Sequence, residues 1–377
     1  MLGLLKSLIR STATPASKAD AAPDREMVAF ITAVDAPHFL QPGEFLDSDQ
    51  ASVRLRVSLP ARELARRVSV CLVPLDYVQR DPDLAGLGRA RAIVVGKLST
   101  RFLGQAPARA AALVSWVERA APGRRIVVDF ADDLAAASTM TSQPALLDFQ
   151  TRLLQAAAAT VPTLALKAQL APYARHGISV IDDPYESRAA GVARFAPGPT
   201  LRLTWFGVFG EPLRPFIESA LGAIAHRLAG RAASLAFVTH AAEAARVADM
   251  AERLYAISPD FSVRHVTWSL AASAAELARA DAVVLPQDTH SAWGRVKSHN
   301  RLVEALRAGR YAVAAPIPAY LELADYAWVD DDLGAGLEWA IDHPAEAEQK
   351  IVAGQAYVAE RFSPARVAAE WGRVLGV

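Results

Sequence analysis

Short apolar runs separated by amphipathic stretches recur along the first half of the chain. Runs of this length, bounded by polar and turn residues, predict buried strands, and the longer stretches between them predict helices. Helical segments are expected up to residue 67 and at residues 145–160. The predicted strands are residues 27–34, 68–75, 92–96, 125–130, 163–168 and 178–182.

The same alternation starts again at residue 201 and continues towards the end of the chain. The predicted strands of this half are residues 201–207, 234–240, 261–268, 281–286, 311–315 and 326–330. The predicted helices are residues 212–228, 271–280, 299–308, 316–325 and 366–375. Alternating strands and helices are typical of parallel sheets covered by helices, so we predict an α/β protein with two parallel-sheet domains.

Two stretches without this alternation mark the domain boundaries. Residues 11–24 are rich in Ala, Ser, Thr and Pro, and residues 188–200 contain two glycines and two prolines. Both compositions are typical of linkers. We therefore divide the chain into four parts, which are an N-terminal segment with its linker (1–24), a first domain (25–190), a second domain (200–362) and a final helical segment (363–377).

Charge and cysteine content narrow the class of protein. The 377 residues carry 40 Lys and Arg against 40 Asp and Glu, and the mean hydropathy is +0.16. This balance excludes a disordered polyelectrolyte and argues against a general nucleic-acid-binding protein, which would be basic. Only six of the 40 cations are lysine, so an arginine by itself is weak evidence for a site. The single cysteine, Cys71, fits a reducing cytoplasm.

The first ten residues differ from the rest of the chain. Apolar residues between positions 2 and 9 fall on one side of a helix, with Lys6 and Arg10 beside them. One interpretation is an interfacial helix on the inner face of an anionic membrane. The other is an N-terminal helix that frays or packs against the protein. No apolar run approaches the ~18 residues needed to span a bilayer.

The stretch from residue 297 to residue 315 concentrates the candidate chemistry. Ser298 is a candidate N-cap, and Gly309 stands where a helix commonly ends in a left-handed residue. A face of the intervening helix carries polar residues at spacings of three and four. These residues are Lys297, Asn300, Arg301 and Glu304.

Cations beside a helix N-terminus favour an anion, because the free backbone N–H groups and the positive end of the helix dipole point there as well. A carboxylate one turn deeper can accept both hydroxyl hydrogens of a sugar diol, as acidic residues do for ribose in dinucleotide folds. The stretch therefore predicts a site for a nucleoside diphosphate. The alternative is an ordinary ion pair between Arg301 and Glu304 on a solvated helix.

Residues 301–314, RLVEALRAGRYAVA, resemble the C-terminal donor-binding motif of GT-B glycosyltransferases, in which many members carry K-L-x-E-A-x-A-x-G-x-P-V-V-A. Residues 280–286, ADAVVLP, resemble another phrase of that family. The resemblance implies two Rossmann-like domains that face each other across a cleft, with the last helix (363–377) crossing back to the first domain. It also implies that Glu304 binds ribose and that Arg301 and Lys297 face the diphosphate.

Two positions depart from the family pattern. Val296 stands where the retaining members have a second glutamate, eight residues before Glu304, and His299 stands where a glycine is usual. The stereochemistry of transfer therefore stays open.

Further site residues follow from the resemblance and from strand ends. The family's glycine loop implies that Gly207 approaches the donor phosphates, and Lys97 follows the carboxyl end of a predicted strand, where α/β proteins bind ligands. Trp268 is a candidate for contacting the nucleobase, and the alternative is that it packs in the core. The remaining candidates for lining the cleft are Arg54, His290 and Ser291.

An acidic run, DFADD, ends the predicted strand at 125–130. Asp132 and Asp133 could act as a catalytic base, bind Mg²⁺ or cap the next helix. The GT-B resemblance favours roles without a metal. His240, at the end of a strand in the second half, is a further candidate base or an ordinary structural histidine.

These observations together predict a cytoplasmic glycosyltransferase. Its donor would be a nucleotide-diphosphate sugar, its acceptor a glycan, a lipid-linked molecule or a protein, and it would need no metal or other cofactor. We expect no nucleic-acid partner, and the only membrane contact would be peripheral, through residues 1–10. The alternatives are an epimerase-like nucleotide-sugar enzyme and a non-catalytic two-domain binding protein of the same fold.

Overall fold

The fold is described from a computed structural model of the chain. The structure describes residues 26–32, 34, 37–46, 48, 50–75, 77–80, 90–96, 98, 107–136, 144–187, 190–211 and 213–377. The predicted interfacial helix at residues 1–10 and the candidate Lys97 lie outside these residues. None of the helices in the described residues has the length and apolar character needed to cross a membrane.

The chain forms two compact units. Unit 1 comprises Met1–Glu186 and Ser363–Val377, and unit 2 comprises Ser187–Phe362. Each unit is built on its own predominantly parallel sheet covered by helices.

In unit 1 the described strands form a seven-stranded sheet in the order β2-β3-β1-β4-β5-β6-β7. All neighbours run parallel except β2, which is antiparallel to β3. Every residue of β1 is buried, because a parallel strand is covered on both faces. The strands are β1 (Met27–Thr32), β2 (His38–Phe39), β3 (Ser69–Pro74), β4 (Ala90–Val95), β5 (Arg125–Asp129), β6 (Ala158–Val161) and β7 (Ile178–Val180).

The helical segments of unit 1 connect these strands. The segment from residue 51 to residue 64 contains a π-helical stretch, Arg54–Ser58, between two α-helical pieces, and all five of its residues are buried. The helices are α1 (Ala51–Val53), α2 (Leu59–Leu64), α3 (Tyr77–Arg80), α4 (Pro107–Ala120), α5 (Pro144–Ala156) and α6 (Leu164–Leu170).

One predicted strand is wrong. Residues 163–168 are predicted as a strand, but they open α6, and the strand beside them is β6, where the end of a helix is predicted. The cause is Thr163, whose hydroxyl accepts the backbone N–H of Leu166 at 3.1 Å and starts the helix as an N-cap. A short apolar run does not by itself distinguish a buried strand from a helix segment.

In unit 2 the sheet has the order β10-β9-β8-β11-β12-β13 with all neighbours parallel. This is the strand order of the dinucleotide-binding Rossmann fold. Trp205 of β8 and Phe237 of β9 stack in its core with ring centroids 4.1 Å apart. The strands are β8 (Leu201–Phe206), β9 (Ala233–Thr239), β10 (Phe261–Thr267), β11 (Ala282–Leu285), β12 (Tyr311–Ala314) and β13 (Trp328–Val329).

Three helices of unit 2 agree with the predicted segments 212–228, 271–280 and 299–308, and the helix near residue 320 is shorter than predicted. The helices at 244–257 and 292–295 lie where none was predicted. The helices of unit 2 are α7 (Arg214–Arg227), α8 (Ala244–Ile257), α9 (Leu270–Arg279), α10 (Ala292–Arg295), α11 (Asn300–Arg307), α12 (Pro318–Leu321), α13 (Leu333–Asp342) and α14 (Pro344–Arg361). The last helix, α15 (Pro364–Leu375), belongs to unit 1, where its Trp371 packs against Phe30 with ring centroids 6.1 Å apart.

Helix α11 and the glycine that follows it have the predicted secondary structure. Gly309 follows it with φ of +70°, the left-handed conformation predicted for it. A side chain at this position would place its Cβ 2.7 Å from the carbonyl oxygen of Val192, so only glycine fits. The predicted N-cap, Ser298, is wrong. His299 occupies the cap position without a side-chain cap bond, because its buried ring lies beside Glu322 and Phe362 instead.

Candidate functional site

The candidate site of unit 2 lies at the carboxyl ends of its parallel strands. Gly207 follows β8, His240 follows β9, Trp268 follows β10, and the segment from Gln287 to α11 follows β11. Ligands of open α/β sheets bind at this edge, beside the point where the strand order reverses between β8 and β11. The fold therefore brings most of the predicted donor-binding residues to one edge of one sheet.

Gly207 and Arg301 are neighbours at this edge. Gly207 has φ of +152°, and its backbone N–H donates to the carbonyl of Val238 at 3.1 Å. A Cβ atom at position 207 would lie 3.4 Å from Arg301 Nη1. The glycine therefore leaves room for the guanidinium beside the strand end.

The guanidinium of Arg301 is oriented by an amide. Its Nη2 donates to Oε1 of Gln287 at 3.1 Å, and Gln287 itself is buried. Gln287 was not among the site residues predicted from the sequence. Its position two residues past the end of β11 was the signal that could have identified it.

Asn300 and Glu304 lie on the same side of α11, one turn apart. Glu304 is buried although it is charged. Nδ2 of Asn300 is also buried, and no hydrogen-bond acceptor reaches it among the described residues. Buried polar groups in native proteins are nearly always satisfied, so an unsatisfied amide at a helix N-terminus favours a position where a ligand supplies the acceptor.

The loop between β11 and α11 is rigidly hydrogen-bonded. Oδ1 of Asp288 accepts the backbone N–H groups of His290 and Ser291, at 2.9 and 3.1 Å. The hydroxyl of Ser291 in turn caps α10 by accepting the N–H of Gly294 at 3.0 Å. Burial disfavours the charged form of Asp288, but the hydrogen bonds from Ser291 and His290 outweigh it and lower the pKa of the carboxyl. Ser291 therefore supports the loop, while the side chain of His290 is exposed.

Lys297 ends this loop with its ammonium over an aromatic ring. Its Nζ lies 3.4 Å from the centroid of the Trp293 ring, which is within the range of a cation–π interaction. The backbone next to Trp293 is closely packed. A Cβ atom on Gly294 would lie 2.1 Å from the carbonyl oxygen of Asp288.

Trp268 and His240 lie side by side at the ends of neighbouring strands. Their ring centroids are 6.2 Å apart, and the backbone N–H of Trp268 donates to Thr239 at 2.8 Å. Trp268 is only half-buried and His240 is exposed, so Trp268 is not a core residue. An aromatic face at the sheet edge is suited to stacking with a planar ring such as a nucleobase.

In unit 1, Arg54 is bound by a carboxylate. It is 2% exposed, and Nε and Nη2 donate to the two carboxylate oxygens of Glu186 at 2.5 and 3.1 Å. Its Nη1 also donates to the carbonyl of Ser48. These contacts give the arginine a structural role within unit 1 and argue against its predicted role in ligand binding.

The carboxylate of Asp133 also accepts hydrogen bonds from within unit 1. Its Oδ1 accepts the backbone N–H groups of Ala135 and Ala136 and the side chain of Gln150, and its Oδ2 accepts from Gln169. These four donors hold the loop after β5, so Asp133 has a structural role there. Asp132 is half-buried in the same loop.

Arg56 forms a buried charged cluster that was not predicted from the sequence. Arg56 is 1% exposed and lies 2.6 Å from Asp129 and 3.2 Å from Asp183, and it also donates to the carbonyl of Ile181. Burial would lower the pKa of the guanidinium, but the two carboxylates outweigh it and raise the pKa. Arginine is so frequent in this chain that Arg56 did not stand out. The apolar residues on either side of Arg56 in the sequence were the signal that could have indicated its burial.

The described residues contain no group of three or more His, Cys, Asp or Glu side chains placed to hold a metal ion. Lys297 and Arg301 are two cations of unit 2 that lie near the N-terminus of α11, the positive end of its helix dipole.

Comparison with known proteins identifies the fold. No family model and no curated protein matches the sequence. Solved structures match over nearly the whole chain. Anabaena HepE in complex with UDP-glucose has a TM-score of 0.63 at 12% identity, covering 94% of this chain and 100% of HepE. A glycosyltransferase from Rickettsia africae has a TM-score of 0.60 at 8% identity, covering 94% of this chain and 98% of that one.

An E. coli structure described as trehalose-6-phosphate bound with UDP-2-fluoro glucose has a TM-score of 0.63 at 9% identity, covering 93% of this chain and 99% of that one. These matches show that the chain has the GT-B fold of glycosyltransferases, which confirms the predicted fold class. At these identities the likeness extends to the fold and no further.

Proposed function

We propose that this protein is a glycosyltransferase whose donor, a nucleoside-diphosphate sugar, binds at the carboxyl edge of the sheet of unit 2. The observation that carries the proposal is the grouping of Gly207, Arg301 and the unsatisfied Asn300 amide at the N-terminus of α11. Backbone N–H groups, an amide donor and two cations there are suited to a diphosphate.

Glu304 is assigned to the ribose of the donor. It lies one helical turn deeper than Asn300, so a nucleotide whose diphosphate contacts the N-terminus of α11 would have its sugar near the carboxylate. Trp268 is assigned to the base. The structural neighbour HepE is described with UDP-glucose, which supports uridine diphosphate as the first nucleotide to test.

In the proposed mechanism, charge develops on the leaving diphosphate, and Lys297 and Arg301 stabilise it as the bond to the sugar breaks. Fixed cations of this kind can replace a metal ion, so we expect activity to persist in EDTA. If the reaction inverts the anomeric centre, Asp132 or His240 accepts the acceptor's proton. The acceptor is a glycan, a lipid-linked molecule or a protein.

Calorimetric titration with UDP tests the donor site. Glu304→Gln keeps the shape of the side chain but removes the charge, which costs about 1.5–3 kcal/mol of charge-assisted hydrogen bonding to the ribose. We expect UDP affinity to fall by about one to two decades. Glu338→Gln is the matched control, because Glu338 is a half-exposed residue of unit 2 that pairs with Arg227. Equal UDP affinity in all three proteins would refute the proposal.

Hydrolysis of a UDP-sugar without acceptor separates the enzyme from a binding protein. Slow release of UDP supports catalysis, since water can replace the acceptor in a transferase. Tight binding of UDP-glucose without any release of UDP would instead support a non-catalytic protein of the same fold.

A further inference from the structure

A cavity of about 820 Å³ opens at the amino ends of three neighbouring strands of unit 1, which are β5, β6 and β7. It therefore lies at the edge of the sheet opposite to the loop that holds Asp132 and Asp133. Residues of α4, α5 and α15 complete its wall. The volume is in the range of sites that hold small molecules, about 300–1,000 Å³.

The charged side chains around this cavity are mostly basic. Of the 16 described residues that line it, one is acidic, Glu118, and five are basic. The basic residues are Arg124, Arg125, Arg152, Arg175 and His176. Arginine makes up four of these 16 residues but 34 of the 377 in the chain, the 40 cations less six lysines, so its general frequency does not account for the grouping. A concave surface lined by one sign of charge favours an anion.

The carboxylate of Glu118 is used by a single arginine of the cavity. Its two oxygens accept from Nε and Nη2 of Arg152 at 2.9 and 2.8 Å. The hydrogen bond from Arg152 is the largest of the effects on Glu118, and it lowers the pKa of the carboxyl. None of the acidic side chains in the described part of the chain forms an ion pair with Arg125 or Arg175. These two guanidinium groups therefore keep their charge towards the cavity.

The backbone holds Arg125 and Arg175 at fixed positions. The N–H of Arg175 donates to the carbonyl of Leu154 at 3.1 Å, which fastens the turn before β7 to the end of α5. Arg125 is the first residue of β5, and its Nη1 donates to the carbonyl of Val374 in α15 at 3.1 Å. A guanidinium carries five N–H donors, so this bond leaves most of the donors of Arg125 for another acceptor.

We propose that this cavity binds a phosphate monoester, with Arg125 and Arg175 as the ligands of its phosphate group. A phosphate monoester has three terminal oxygens and accepts from two guanidinium groups at once, whereas one guanidinium satisfies both oxygens of a carboxylate. The rest of the cavity holds the esterified group, which belongs to a soluble metabolite or to a lipid headgroup. The site lies within unit 1 and does not depend on the donor site proposed for unit 2.

Calorimetric titration with glycerol 3-phosphate at constant ionic strength tests the soluble form of the ligand. We expect saturable binding of one molecule, and Arg125→Gln and Arg175→Gln should each weaken it about tenfold, because each removes charge-assisted hydrogen bonds to the phosphate. Arg66→Gln is the matched control and should change nothing, since Arg66 is an exposed arginine of unit 1 outside the cavity. Glycerol, which lacks the phosphate, should not bind.

Two further measurements separate this site from other effects. Arg301→Ala should leave the affinity for glycerol 3-phosphate unchanged, which shows that the ligand is not bound at the N-terminus of α11. Urea denaturation checks that the variants are folded. If Arg125→Gln loses stability with its bond to Val374, Arg175→Gln still tests the site, because the described hydrogen bond of Arg175 comes from its backbone.

Co-sedimentation with vesicles distinguishes the two sources of the phosphate. The vesicles are an equal mixture of phosphatidylcholine and phosphatidic acid, compared with phosphatidylcholine alone. Binding that needs phosphatidic acid and falls in both Arg125→Gln and Arg175→Gln, without binding of glycerol 3-phosphate, assigns a lipid headgroup. Binding of glycerol 3-phosphate that falls in both variants assigns a soluble ligand. If neither probe binds the wild type, or if both variants bind as the wild type does, the proposal is wrong, whatever the affinity of unit 2 for UDP.

Discussion

Each unit holds arginine side chains near the carboxyl end of its sheet, and these arginines have different partners in the two units. In unit 1, Arg54 and Arg56 are almost fully buried and contact carboxylates, which are Glu186, Asp129 and Asp183. Both arginines are therefore paired with carboxylates of unit 1.

In unit 2, the guanidinium of Arg301 donates to a neutral group, the amide oxygen of Gln287. Arg301 is half-buried and lies at the N-terminus of α11. The comparison teaches that the partner, and not the presence of a cation, distinguishes a structural residue from a candidate ligand residue. It also predicts that substitution of Arg56 changes the stability of the protein, whereas substitution of Arg301 changes its affinity for a nucleotide.

The largest effect is expected at Arg56. Arg56→Met removes the shared partner of Asp129 and Asp183 and leaves both carboxylates buried without their cation. We expect the free energy of unfolding to fall by about 3–5 kcal/mol, measured by urea denaturation. UDP affinity of the folded variant should stay unchanged. A loss below about 1 kcal/mol would contradict the structural role of the cluster.

A smaller effect is expected at Glu322, which lies behind the N-terminus of α11. Its carboxylate accepts from Arg361 at 2.8 Å and lies 3.3 Å from Nε2 of the buried His299. Burial acts to raise the pKa of Glu322, but His299 and Arg361 outweigh it and lower the pKa from 4.5 to about 2. A lowered pKa in the folded state stabilises the protein above pH 4.5, and this contribution is lost as the pH falls towards 2.

Glu322→Gln tests this pH dependence. We expect it to lower the free energy of unfolding by about 1.5–3 kcal/mol at pH 7, the range for hydrogen bonds to charged groups. The difference from the wild type should shrink as the pH falls from 4.5 to 2. Urea denaturation at a series of pH values measures it, and a difference independent of pH would show that the charge is not involved.

Arg301→Ala tests the unit 2 side of the comparison. Because the proposed partner of Arg301 is phosphate, UDP affinity should fall by about tenfold, or 1.4 kcal/mol, while uridine affinity changes little. The urea midpoint should move only slightly, since the described partner of Arg301 is an amide that can hydrogen-bond to water. Equal losses for UDP and uridine would place Arg301 away from the diphosphate.

The smallest effect is expected for an exposed pair of unit 1. Arg152 donates to both carboxylate oxygens of Glu118 at 2.8 and 2.9 Å, a geometry as good as that of the buried pairs. Solvent screens it, so Arg152→Met should cost less than about 1 kcal/mol of unfolding free energy. A loss as large as that of Arg56→Met would show that burial is not what separates the two clusters.

Local patterns along the chain determined most of the secondary structure and the division into two sheets. The strand–helix alternation predicted two parallel sheets, because burial on both faces demands continuous apolar runs. The motif around α11 was also predictable, since helix periodicity and a glycine at the C-terminus act over a few residues. Where two local signals competed, as at Thr163, the prediction was wrong.

Only the tertiary structure decided which polar residues serve the fold. Arg56 meets Asp129 and Asp183, which lie 73 and 127 positions further along the chain, and Asp133 meets Gln150 and Gln169. The residue type alone does not separate Arg54 from Arg301, because both are arginines. A charge acquires its role from what surrounds it in space, because burial and pairing set its energy, and both depend on segments that folding brings together.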